Sequence, residues 1–138
     1  MKKVAFILIC LLFCCTMVSA QEKSELQKQA EAMAPGQNNA QARSLYIRAF
    51  NDYVNKGQTR QGVECGVKGV ALYYKENAYK EAFDLLREID QVMGADRKAS
   101  NSEKAAMRYL TTKERMQMYL KLKRTPSVKD NLATMENL

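Results

Sequence analysis

Two segments of this chain carry the same pattern. Tyr46-Ile47-Arg48-Ala49-Phe50 and Tyr79-Lys80-Glu81-Ala82-Phe83 both read Tyr-x-x-Ala-Phe, and they lie 33 residues apart. A period near 34 is that of a helix–turn–helix unit stacked on its own copies. One helix pair cannot bury its apolar face alone, so successive pairs cover each other. The residues around each copy agree. Leu45, Ala49, Phe50 and Tyr53 recur at helical spacing, as do Ala82, Leu85, Leu86 and Ile89. No stretch alternates as a strand would. Past the first apolar run, Ala, Leu, Lys, Glu, Gln, Met and Arg dominate, and these are strong helix formers. The expected fold class is all-α, with antiparallel helix pairs stacked as a short α-solenoid.

The N-terminus reads as an export signal. Lys2 and Lys3 precede an unbroken apolar run from Val4 to Val18, and Val18-Ser19-Ala20 precedes Gln21. Small residues at the last and third-to-last positions fit the signal peptidase cleft, so cleavage is expected after Ala20. The alternative is an uncleaved or lipid anchor. The run is short for a membrane span. A lipid anchor would need a small residue before Cys14 or Cys15, where Phe13 and Cys14 stand. The expected domains are therefore a signal peptide, 1–20, and a helical repeat domain, 21–138. The protein is expected in the periplasm or outside a bacterial cell.

Cleavage changes the chemistry available. Cys10, Cys14 and Cys15 leave with the signal, and only Cys65 of the four cysteines remains. The mature chain then has no internal disulfide. Cys65 lies among glycines and valines on a helical stretch, which predicts a buried, inert thiol. A disulfide between molecules is the other reading. The formal net charge of +7 falls by two with Lys2 and Lys3.

Breakers divide the mature chain into six helices. The first is expected over about Glu22 to Ala34, before Pro35-Gly36, and the second from Asn39 to Asn55, closed by Lys56-Gly57. Thr59 is expected to cap a third, ending near Glu76-Asn77. A fourth runs from Ala78 to Met93 and closes at Gly94. Ser100 and Glu103 have capping-box spacing for a fifth that ends about Lys123. Thr125-Pro126 breaks it, and Ser127 begins a short sixth. The pairs are then 22–56, 59–94 and 100–138.

The stretch Tyr73-Tyr74-Lys75-Glu76-Asn77-Ala78-Tyr79-Lys80-Glu81-Ala82-Phe83 resembles the hinge of a tetratricopeptide repeat. That family has an aromatic near the end of its first helix, a short turn, and then an aromatic and a small residue opening the second. Tyr73, Tyr79 and Ala82 match those places, with Leu86 and Ile89 continuing the packing face; Ala49 stands for Ala82 in the earlier copy. The resemblance implies a TPR-like solenoid. The chain departs from the family in the first helix of this pair, where Gly62, Gly66 and Gly69 stand and Val70 replaces the usual glycine. Each helical glycine costs about 1 kcal/mol against alanine. Close helix contact would offset that cost; an irregular helix is the alternative. The chain is also similar to the extracytoplasmic N-terminal region of bacterial repeat-containing sensor kinases and regulators.

Nothing in the sequence supports catalysis. The chain has no histidine, which removes Ser-His-Asp and Cys-His arrangements and the commonest transition-metal ligand. Cys65 alone cannot build a structural zinc site. The Gly62, Gly66, Gly69 series lacks the strand and the Lys-Ser/Thr of a phosphate loop, so helix packing is its expected role. Glu81, Asp84, Glu88 and Asp90 have the spacing of a solvated helix face. No enzymatic activity, cofactor or metal is expected.

Lys113, Arg115, Lys121, Lys123 and Arg124 crowd the end of the fifth helix. Export and the interleaved Leu120 and Leu122 favour a solvated face over nucleic acid, with an acidic partner or an anionic membrane as the other reading. Met107, Met116 and Met118, with Tyr109 and Tyr119, are expected to pack in the core; an adaptable peptide-binding face is the alternative.

The expected function is a protein–protein interaction module that binds a peptide or helix of a partner. In the tetratricopeptide family the first helix of each pair lines the concave surface. The resemblance implies Glu64, Val67, Ala71, Tyr74 and Lys75 as the partner-binding residues. The alternative is a truncated extracytoplasmic sensor region of a bacterial signalling protein. Nucleic acid is not expected as a partner. A membrane enters only through an uncleaved signal or a larger complex, and the exposed ends of a three-pair stack could self-associate.

Overall fold

The computed structural model describes residues 22–33, 35–123 and 125–138, and within them six α-helices and no strand. They are α1 (Glu25–Glu31), α2 (Asn39–Asn55), α3 (Thr59–Lys75), α4 (Tyr79–Ala95), α5 (Asn101–Lys121) and α6 (Thr125–Glu136). The expected signal, 1–20, lies outside the described residues.

The two tight turns are built alike. After α2, Gln58 N–H donates to the Tyr53 carbonyl at 2.9 Å and Gly57 N–H to that of Val54 at 3.0 Å. After α3, Ala78 N–H donates to Tyr73 at 3.0 Å and Asn77 N–H to Tyr74 at 3.2 Å. Both are Schellman closures, which need one left-handed residue. Gly57 (φ 72°) and Asn77 (φ 63°) supply it, and only residues of those kinds adopt that conformation readily.

Some boundaries differ from the sequence reading, each for a local reason. α1 starts later because Ser24 is its N-cap, its Oγ accepting from Gln27 N–H at 3.3 Å. Thr59 is the first residue of α3 rather than its cap, and its hydroxyl bonds the Asp96 carboxylate. Gly94 does not stop α4, which runs on to Ala95. Asp96 ends it by turning its side chain onto the amides of Lys98 (2.8 Å) and Ala99 (3.1 Å). The capping box at Ser100 and Glu103 is formed as expected. Pro126 falls in the first turn of α6, where a missing N–H costs nothing.

α3 is the centre of the molecule. It packs antiparallel on α2 and on α4: Gly62 meets Tyr53 and Val54, Gly69 meets Ile47 and Leu85, and Gly66 meets Ile89. α1 packs on α2, α5 packs on α3 and more lightly on α4, and α6 packs on α5. Ala49 and Ala82, the small residues of the repeated pattern, are both fully buried. The glycine series lies in a regular helix, and its missing side chains let the flanking helices approach. Met107 and Met118 belong to the same core as Phe50, Val63, Val70 and Leu86.

α1 is anchored through one phenol. Tyr53 Oη accepts from Ser24 N–H at 2.6 Å and donates to Gln27 Oε1 at 2.8 Å. Gln27 is a buried polar residue and this bond satisfies it.

Candidate functional site

The five residues expected to bind a partner all lie on α3, but not on one surface. At about 100° per residue, Glu64, Ala71 and Lys75 align, while Val67 and Tyr74 turn about 60–80° away and Lys68 turns the opposite way. Ala71 and Lys75 line a cavity of about 270 Å³ bounded by Glu31, Tyr46 and Lys68. Glu64 faces a second cavity, of about 340 Å³, beside Lys23 and Gln27 of the N-terminal segment and Glu103 of α5. It pairs with Arg60 at 3.4 Å. Val67 is 6% exposed and sits in the core cluster.

Tyr74 closes the seam between α3 and α5. Its hydroxyl is hydrogen-bonded to the Glu114 carboxyl, and its carbonyl accepts from Lys121 Nζ at 2.7 Å. Burial, with the Glu114 charge and hydrogen bond, pushes the phenol up to about 12. Glu114 is the less usual member. Its Oε2 is buried with no hydrogen-bond partner. Burial raises its carboxyl above the ordinary range, against the opposing pull of Tyr74, Lys113 and Lys75.

A charged cluster on the other side of α3 joins three helices. Lys68 Nζ lies 2.9 Å from Glu31 and 5.3 Å from the centre of the Tyr46 ring. Hydrogen bonds from Lys23, Lys68 and Gln27 hold the Glu31 carboxyl down at about 2. Sequence reasoning did not single out Lys68 or Glu31. They are 37 residues apart, and no local signal links them.

The basic residues at the end of α5 divide by role. Arg115 reaches Asp90 of α4 at 2.6 Å, and Lys121 closes the Tyr74 carbonyl and lies 5.9 Å from the Tyr79 ring. Lys113 and Lys123 are exposed. Arg124 lies outside the described residues. The acidic run on α4 follows the expected pattern: Asp84 takes Lys80 at 2.8 Å and also Arg87. Tyr119 packs against Phe83 with the rings tilted by 42° and their centres 5.6 Å apart, while Tyr109 is 47% exposed.

Cys65 is fully buried, and burial pushes its thiol up to about 11. A thiol held there is not a nucleophile at neutral pH. Among the described residues no group of His, Cys, Asp or Glu could hold a metal, and no helix is long and apolar enough to cross a membrane. No known protein family, curated protein or solved structure matches the chain.

Proposed function

We propose that the chain is an exported, TPR-like interaction module that binds a peptide or helix of a partner protein. The observation that carries this reading is the contact of α5 with α3. In a stack of helix pairs, the first helix of one pair rests on the first helix of the pair before it. The 33-residue repeat, with Ala49 and Ala82 both buried where helices meet, supports the same arrangement. In such a stack α1, α3 and α5 share one face. Glu64, Ala71 and Lys75 would offer the partner one carboxylate, one small apolar patch and one ammonium. Tyr74 would act through its hold on α5, and Val67 through packing.

The experiment is a pull-down from the native envelope fraction, with the chain from Gln21 as bait. Lys75→Glu runs beside it, with Lys75→Gln as a control for the pull of Lys75 on Glu114, because Lys75 is exposed. A partner held by the parent and lost by a still-helical Lys75→Glu is the expected result. Equal capture by both proteins would remove this face of α3 from the interaction.

A further inference from the structure

The cavity between α4 and α5 encloses about 350 Å³, within the size range of small-molecule sites. Its α5 wall is a single stripe, Lys104, Arg108, Thr111 and Arg115, at intervals of four, three and four residues. Met93, Gly94 and Met107 supply the apolar part. A methyl group built on Gly94 would meet nothing within 4 Å, so the cavity is open on that side.

Three cationic side chains, Lys104, Arg108 and Arg115, line this cavity. Two carboxylates also line it, but both are engaged. Asp90 takes Arg115 at 2.6 Å. Asp96 takes the Thr59 hydroxyl and the amides of Lys98 and Ala99. Lys104 contributes to holding Asp96 ionised only through space, without an ion pair. The side chains of Lys104 and Arg108 make no hydrogen bond or ion pair among the described residues. Like charges four residues apart on a helix repel. Lys104 also stands in the first turn of α5, where the helix dipole disfavours a cation. Two cations at one cavity wall, half-buried Lys104 and exposed Arg108, therefore have no ion pair of their own and are open to an anion.

We propose that this cavity binds a small organic oxyanion, a phosphate ester or a dicarboxylate, with Lys104 and Arg108 on the charged group and Met93 and Met107 against its apolar part. Arg108 supplies a planar fork that matches two oxygens, and Lys104 supplies a point charge. Arg115 is held back by Asp90 and shapes the wall. The site shares no residue with the α3 face described above, so it stands or falls separately from the peptide-binding reading.

The test is calorimetric titration of the purified protein with inorganic phosphate, phenyl phosphate and succinate, at low and at physiological ionic strength. At least one organic anion is expected to bind saturably at submillimolar concentration and to raise Tm. Phenyl phosphate binding tighter than succinate assigns a phosphate ester, and the reverse order a dicarboxylate. The double variant Lys104→Gln, Arg108→Gln is expected to lose at least tenfold in affinity while being no less stable than the parent without ligand. The control Lys113→Gln, Lys129→Gln, which removes the same charge outside the cavity, is expected to keep its affinity. Absence of saturable binding up to millimolar ligand overturns the proposal. An equal loss in the control does so too, because it assigns the binding to net charge.

Discussion

Ile89 of α4 rests on Gly66 of α3. A Cβ built on Gly66 would lie 2.8 Å from Ile89 Cδ1, 3.0 Å from its Cγ1 and 3.2 Å from Phe50 Cδ2. The two helices that sandwich α3 both close on the same missing side chain. Gly66→Ala recovers about 1 kcal/mol of helix propensity but forces two packed side chains apart, which typically costs about 1–3 kcal/mol. The expected outcome is a net loss of about 1 kcal/mol in urea unfolding. Gly94→Ala has open space around it and a helical backbone, so it should gain about 0.5–1 kcal/mol. A gain at both positions would mean that α3 and α4 are not tightly packed.

The phenol of Tyr53 holds α1 to α2 by two hydrogen bonds. Tyr53→Phe keeps the ring and removes both. It leaves Gln27 Oε1 without the donor it has now, in a buried place, which costs about 1–3 kcal/mol. Because α1 packs chiefly on α2, the loss should be local. Hydrogen exchange should speed up in α1 and stay unchanged in α3 and α4. Uniform acceleration would show that α1 unfolds only with the whole molecule.

Glu114 gives the seam between α3 and α5 a pH dependence. Its carboxyl is raised by burial, so the folded state favours the protonated form. The stability this contributes is complete below the ordinary carboxylate pKa and is lost as pH rises through the raised folded value. Ionising Glu114 places charge on a carboxyl whose Oε2 is buried and unpaired. Glu114→Gln should therefore raise Tm at pH 7 and have less effect at pH 4. Glu31 has the opposite sign. Its carboxyl is held at about 2, so its contribution is present above the ordinary value of 4.5 and is lost as pH falls toward 2. Comparing Tm against pH for Glu114→Gln and Glu31→Gln separates the two. Parallel profiles would refute this assignment.

Cys65 should be silent in the folded protein. Its full burial and raised thiol predict labelling by a thiol reagent only through unfolding. The labelling rate should follow urea concentration along the unfolding curve, and oxidant should give no disulfide dimer under native conditions. Fast labelling without denaturant would show that α3 opens locally.

Much of the fold was legible in the sequence. The ends of α2, the break between α3 and α4, the capping box at Ser100 and the burial of Ala49, Ala82 and Cys65 all follow from patterns a few residues long. The proposed binding face was only partly legible. The resemblance to a tetratricopeptide repeat implied Glu64, Val67, Ala71, Tyr74 and Lys75, all on one helix. It could not show that Val67 turns into the core and that Tyr74 turns toward Glu114.

Helix boundaries, helical periodicity and the repeat were determined by the sequence itself, because hydrogen bonds between residues four apart and left-handed turn residues act within a local span. Tertiary structure decided which charges matter. Glu31 meets Lys68, Tyr74 meets Glu114, and Lys104 and Arg108 line a cavity without making an ion pair. Those relationships depend on which helix faces meet after folding, and burial changes the strength of a charge only once the faces have met.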